Sequence, residues 1–252
     1  MYYLIICLCS FSFLTALISE DLVVGTTSGY APFVSINAEG EYEGFDIDIA
    51  KAIADKLGRK LVIKDFGSMP ALILAIKQNK ADFLIWSISI TQERQKQMAM
   101  IYYQGEKTTS LPLLFWGEIP DQIKNLEDMA NNPKAVISVE AGSFQENVLL
   151  SVPGLTLKQV DKVSDAIFEL KYGKSQAVLV DNSQKISYME KFPQLKSLEI
   201  NLPQSKQAMG NGICLNLENG DLIAEIQKVV NELFKEGAIA RLEAKWKLKE
   251  AP

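Results

Sequence analysis

The chain is expected to form an α/β fold of two similar lobes. Short apolar runs rich in β-branched residues alternate with amphipathic helical patterns, which predicts parallel strands with crossover helices. The alternation starts again beyond Thr108–Trp116, a long extended candidate containing Pro112 that is suited to carry the chain from one lobe to another. Several apolar runs also stop on a polar residue, the position at which open α/β sheets bind ligands.

Composition narrows the chemistry. The 252 residues are 48% hydrophobic and 23% charged, ample for a substantial core. The formal charge is -5, from 26 basic and 31 acidic residues, and the cations are scattered, so nothing favours nucleic acid as a partner. Histidine is absent, which removes the commonest general base and metal ligand. No metal or cofactor is therefore expected. There are 3 cysteines, and two of them, Cys7 and Cys9, fall in an apolar N-terminal segment. Residues 1–19 suit a secretory signal peptide better than a spanning helix, with an uncleaved membrane anchor as the alternative. Cys214, in the apolar run Gly212-Ile213-Cys214-Leu215, reads as a small buried hydrophobe.

In chain order, Leu22-Val23-Val24 predicts a strand, followed by a polar turn and Tyr30-Ala31-Pro32-Phe33. There Tyr30 either walls a ligand or packs on its own loop. Phe45–Leu57 predicts a helix closed by Gly58, with Asp46 and Asp48 serving the helix dipole. Leu61-Val62-Ile63 is a strand and Met69–Ile76 a helix.

The run Leu84–Ile90 predicts a further strand that delivers Ser87 and Ser89 to its end. Thr91 then caps a helix that continues through Gln97, Met98 and Met100 and brings Arg94 into the same region. A small carboxylate is the natural guest of this cluster. The alternative is that Thr91 only caps and Arg94 only pairs with a surface acid.

The second lobe predicts a helix over Leu126–Asn132, a strand over Ala135–Val139, and a helix opened by the Ser143-x-x-Glu146 capping box. A strand near Thr156–Val160, a helix over Val163–Tyr172, a strand over Ala177–Val180 and a helix over Gln184–Lys191 follow. Asp181, the first polar residue after its strand, suits either a ligand contact or a helix cap. Pro203–Gly212 reads as loop, Ile213–Leu217 as strand, and Asp221–Glu236 as a long amphipathic helix before a short final one.

The ordered set Gly25-Thr26, Tyr30-Ala31-Pro32-Phe33, Gly44-Phe45-Asp46-Ile47-Asp48-Ile49-Ala50, Ser87-Ile88-Ser89-Ile90-Thr91-Gln92-Glu93-Arg94, Gly142-Ser143, Ala177–Asp181 and Lys245-Trp246 resembles the polar amino-acid-binding proteins of ABC importers, solute-binding protein family 3. Arginine-, histidine- and glutamine-binding members are most similar, and Gly173-Lys174-Ser175 with Phe192-Pro193 resembles chlamydial arginine-binding relatives. The resemblance implies the type II periplasmic-binding-protein fold with a hinge of two crossing strands. Lobe 1 would comprise 20–108 and 205–252, and lobe 2 109–204.

It further implies a monomer in the periplasm that holds a free L-amino acid in the interlobe cleft and delivers it to an inner-membrane ABC permease. Arg94, helped by Ser89 and the N–H groups of Ser143 and Phe144, would pair with the α-carboxylate. Asp181 would take the α-ammonium, and Tyr30 and Met69 would flank the side chain. Basic-amino-acid binders often carry Asp where Thr27 stands, and Glu140 is the expected substitute as partner of a cationic side chain. Trp86 either narrows the pocket or adds a cation-π face beside Ser87. Arginine or lysine is the expected ligand, with glutamine or another polar amino acid as the alternative. An enzyme, a dehydratase on the same scaffold, is the rival class and would have to use Glu140.

Overall fold

The computed structural model describes residues 21–132 and 134–249; the leader read from the sequence lies outside them. No helix among the described residues is long and apolar enough to cross a membrane.

The chain opens with β1 (Leu22–Thr26), a small hairpin of β2 (Ser35–Ile36) and β3 (Tyr42–Glu43), α1 (Phe45–Leu57) and β4 (Leu61–Asp65). Then come α2 (Met69–Lys77), β5 (Phe83–Leu84), α3 (Gln92–Gln95) and β6 (Ala99–Thr108). The middle of the chain supplies β7 (Ser110–Trp116), α4 (Leu126–Ala130), β8 (Val136–Glu140), α5 (Phe144–Leu150), β9 (Thr156–Val160), α6 (Val163–Lys171), β10 (Ala177–Leu179), α7 (Asn182–Lys191) and β11 (Leu195–Asn201). A single 3-10 turn leads to β12 (Ala208–Leu215), α8 (Gly220–Lys235) and α9 (Ala238–Lys245).

Two five-stranded sheets result, ordered β4-β1-β5-β12-β6 and β11-β7-β10-β8-β9. Within each, the strands joined through helices pair in parallel, β1 with β4 and β5, and β8 with β9 and β10. The first sheet is buried on both faces, with Val24, Phe83, Leu84 and Cys214 fully enclosed. Helix α8 lays Ile226, Val229, Val230 and Leu233 into that core. Such a stripe, at intervals of three and four residues, is what drives a surface helix onto a sheet. The second sheet carries a separate apolar cluster on each face, one around Leu113, Ile137 and Leu149, the other around Leu114, Ile167 and Val178.

The chain passes between the lobes twice, side by side. Strand β6 pairs with β12 as far as Thr108↔Ala208, and β7 pairs with β11 from Ser110↔Asn201 onward. Thr109 alone separates the two ladders on one strand, and its carbonyl accepts from the Leu202 N–H at 2.8 Å.

Several elements differ from the sequence expectation. The helix begun at Thr91 stops at Gln95, because Ala99 onward is taken into β6 and paired with β12. The strand expected to run to Ile90 ends at Leu84. Beyond it Ile90 is fixed by exchange with β12: its N–H donates to the Gly210 carbonyl and its carbonyl accepts from Met209. Ala208–Gly212, read as loop, belongs to β12 and carries two register shifts around Asn211. Leu195–Asn201 is a strand with no counterpart in the sequence reading.

Asp46 and Asp48 also do more than serve the dipole of α1. Asp46 is fully buried, and its Oδ1 accepts from the Tyr103 hydroxyl at 2.6 Å and its Oδ2 from the Ser87 N–H at 2.7 Å. Asp48 accepts from the indole N–H of Trp246 at 2.8 Å and from Lys245 Nζ at 2.7 Å, tying the C-terminal segment to α1.

The entry to α1 depends on Gly44, whose φ is +133°. A Cβ there would lie 2.0 Å from the Phe33 carbonyl oxygen, so both backbone conformation and space demand glycine. Gly44→Ala is expected to cost about 3 kcal/mol of stability. The urea midpoint should fall with an unchanged slope, and an unaltered midpoint would contradict this reading.

Candidate functional site

Four strand ends, two from each lobe, face one another across the cleft. The loop after β1 holds Tyr30, whose backbone pairs with Val34 and whose ring stacks on Phe33 at 5.6 Å between centroids and leans on Trp86 at 5.4 Å. The segment after β5 holds Trp86, Ser87 and Ser89. From the other lobe, β8 ends on Glu140 and leads through Gly142 to Ser143, the cap of α5, while β10 leads to Asp181, the cap of α7. Met69 opens α2 and approaches the second lobe at Gly142, where an added Cβ would meet Pro70 at 3.2 Å and Met69 at 3.3 Å.

All ten residues singled out from the sequence, Tyr30, Met69, Trp86, Ser87, Ser89, Arg94, Glu140, Ser143, Phe144 and Asp181, line one pocket. Gln145, Val163, Leu179 and Val180 complete its wall and were not foreseen. The pocket is narrow between the lobes and opens onto a broader cleft of about 750 Å³, which shares Tyr30, Ser87, Ser89, Phe144 and Asp181 with it. Thr27 does not line the pocket; it is buried, and its hydroxyl donates to the Thr26 carbonyl at 2.9 Å.

Arg94 is only 5% exposed and carries its charge between the lobes. Its Nη1 donates to the Ser89 carbonyl and its Nη2 to the Gly142 carbonyl of the second lobe, each at 3.0 Å. Burial lowers its pKa, opposed by the thiol of Cys214 and by the acids Glu140 and Glu93. The alternative of a surface ion pair therefore does not describe it. Thr91 does cap the turn, accepting from the Arg94 N–H at 3.2 Å.

Asp181 caps α7 and also reaches across the cleft. Its Oδ1 accepts from the Gln184 N–H at 2.9 Å and the Ser183 hydroxyl at 2.6 Å, while its Oδ2 accepts from the Tyr30 hydroxyl across the cleft. Burial, then the nearby Asp181 charge, raise the Tyr30 pKa well above the ordinary phenol value. Glu140 is pushed up to about 8, chiefly by burial and then by Asp181, with Arg94 opposing. The pocket thus combines one buried guanidinium with two carboxyl groups, one of which resists ionisation.

The turn before α5 is organised differently from a simple capping box. Ser143 Oγ accepts from the Glu146 N–H at 3.0 Å, but Glu146 reaches back to the Gly142 N–H, at 2.7 Å, instead of Ser143. The Ser143 N–H donates to the Glu140 carbonyl at 3.3 Å, so the closed geometry already uses one of the two N–H groups expected to face a carboxylate. Cys214 is buried, with its thiol pushed up to about 12 by burial, in keeping with an inert packing role. No cluster of metal-ligating side chains occurs among the described residues.

A sequence profile of the bacterial extracellular solute-binding proteins, family 3, matches residues 22–112. The chain is 35% identical, over 91% of its length and 87% of the relative's, to a probable ABC transporter arginine-binding protein, ArtJ, of Chlamydia trachomatis. It therefore belongs to solute-binding protein family 3. Among solved structures it resembles a mutant ArgBP from T. maritima, with a TM-score of 0.79 and 29% identity over 90% of this chain and 95% of that one. An ancestral arginine-binding protein bound to arginine gives a TM-score of 0.77 and 32% identity over 90% and 97% of the two chains.

Proposed function

We propose that this chain is the extracytoplasmic binding component of an ABC importer, which captures a free L-amino acid between its lobes and presents it, as a monomer, to an inner-membrane permease. The observation that carries the reading is the presence of Arg94 and Asp181 on opposite lobes in one pocket, with interlobe hydrogen bonds at each. A zwitterion offers a carboxylate to the first and an ammonium to the second, and only a closed cleft satisfies both. Tyr30 and Gly142 now take those places, so the ligand exchanges two interlobe hydrogen bonds for charged ones. Ser89 and the turn at Ser143 and Phe144 assist at the carboxylate. The role is transport and not catalysis, and periplasmic residence follows from it.

The ligand's side chain then lies among Tyr30, Met69, Trp86 and Glu140, a setting that suits a cation, arginine before lysine. A calorimetric and thermal-shift panel of the twenty amino acids tests the reading, since a ligand that binds only the folded state raises its melting temperature. Absence of any shift with all of them would overturn it.

Glu140→Gln is expected to weaken arginine by about 10- to 100-fold, since a charged hydrogen bond is lost, while affecting neutral amino acids less than about threefold. Equal losses for both would remove Glu140 from side-chain recognition. The pH dependence follows in sign. A carboxyl held at about 8 in the folded protein and near 4.5 otherwise keeps its proton in the native state while the unfolded chain releases it. The Glu140 contribution to ligand-free stability is fully present below pH 4.5 and is lost as pH rises towards about 8. A cationic ligand needs the ionised form, so arginine binding at pH 7 should release protons and tighten as pH rises towards 8. Titrations in buffers of different ionisation enthalpy read that release directly, and its absence in Glu140→Gln locates it.

A further inference from the structure

We infer that Asn211, on a hinge strand at the wall of the broader cleft beside Ser87, directs the Ser87 hydroxyl hydrogen into the cleft as a donor to the ligand's carboxylate. Asn211 is thus a positioning residue that acts through Ser87. The inference rests on the reading that the cleft holds an amino acid.

Ser87 is held from two sides. Its backbone adopts φ +46°, a left-handed conformation unfavourable for a side-chain-bearing residue. The bond from its N–H to the buried carboxylate of Asp46, 2.7 Å long, anchors that turn to α1. The Tyr103 hydroxyl, at 2.6 Å from the other oxygen, fixes the carboxylate in turn. With the backbone so placed, the hydroxyl is contacted by Asn211, whose Nδ2 donates to Ser87 Oγ at 2.9 Å.

A serine hydroxyl has one hydrogen to give and two lone pairs to receive. A donor seated on the oxygen turns the hydrogen elsewhere. The Asn211 Nδ2 also donates to Gln104 Oε1 at 2.8 Å, so the two amides are oriented as a pair. Gln104 is itself buried. The backbone of Asn211 is fixed as well, by the bridge to Ser89 and the register shifts on either side of it. Among the described residues the bond accepted from Asn211 is the sole hydrogen bond of Ser87 Oγ, so no protein acceptor there takes its hydrogen. Ser87 lines the pocket together with Ser89 and Arg94. The acceptor left for that hydrogen is an anion sharing the pocket with Arg94. This chain of contacts also places the carboxylate site one hydrogen-bonded step from the hinge strands β6 and β12.

The test is a double-mutant cycle on L-arginine binding, with L-argininamide as the probe lacking a carboxylate. Asn211→Leu removes the donor at near-constant volume without adding charge. It should weaken L-arginine by about fivefold, consistent with partial loss of one charged hydrogen bond, and argininamide by less than about twofold. In a Ser87→Ala background the same substitution should have no further effect on L-arginine, because its route of action is gone. Equal loss for the two ligands, or an Asn211 effect that persists undiminished without the Ser87 hydroxyl, overturns the inference and leaves the amino-acid reading intact. If the unmodified protein binds neither probe nor any other amino acid, that reading fails and this inference with it.

Discussion

Replacing Arg94 by alanine is expected to weaken amino-acid binding by about 100- to 1000-fold. The guanidinium is the only basic group lining the pocket among the described residues, and it is oriented by the Ser89 and Gly142 carbonyls before any ligand arrives. Two charge-assisted hydrogen bonds to a carboxylate, at roughly 1.5 to 3 kcal/mol each, account for a loss of that size. Arg94→Lys should recover only part of it. An ammonium is a point donor and cannot keep both carbonyls and a bidentate carboxylate satisfied. Calorimetry of each variant against the best ligand checks the prediction, and an affinity within threefold of the original would remove Arg94 from the site. The two carbonyls left without a donor make the alanine variant less stable by about 1 to 3 kcal/mol. Melting in the absence of ligand measures that separately.

Asp181→Asn should produce a loss of similar size, about 100-fold, with almost none of the effect on folding. The side chain serves two masters through two oxygens: Oδ1 caps α7 at Gln184, and Oδ2 faces the cleft. Asparagine is as good a cap as aspartate, so the helix start survives. What disappears is the negative charge that an α-ammonium requires, while the amide introduces a donor against a donor. An unchanged melting temperature with lost affinity is the expected pair of results. Retained affinity would assign Asp181 to the cap alone.

The sequence disclosed more of the site than of its supports. Ser87, Ser89, Arg94 and Asp181 stand where apolar runs stop and polar residues begin, a local pattern that shows without tertiary knowledge, whereas Met69, Trp86, Glu140 and Phe144 are marked only by the resemblance to the binding-protein family. The buried role of Asp46 is masked in the sequence because an acid in the first turn of a helix is so readily explained by the dipole. Yet it stands one turn before Ala50 and two before Ile53, both buried, so the apolar period already placed it on the inward face. Asn211 gave no such sign, for it lies in a glycine-rich run whose strand character exists only through pairing with β6.

The helix expected over Gln92–Met100 fails for the same physical reason. Gln, Glu, Arg, Lys and Met all favour helix locally, but from Ala99 the ladder to β12 buries Ile101 and Tyr103 and outweighs propensity. Leu195–Asn201 escaped notice because its polar residues interrupt the run, as suits a strand at the edge of its sheet.

The position of β12 bears on how the chain acquires its structure. It lies between β5 and β6 inside the first sheet, although 130 positions separate Leu84 from its partner Cys214. The N-terminal portion thus emerges from synthesis with its central seam open, and the ladder cannot close until nearly the whole polypeptide is available. Residues 110–201, by contrast, contain every strand of their own sheet and are able to fold as a unit first. The second sheet is thus complete in one stretch of chain, while the first waits for its last strand.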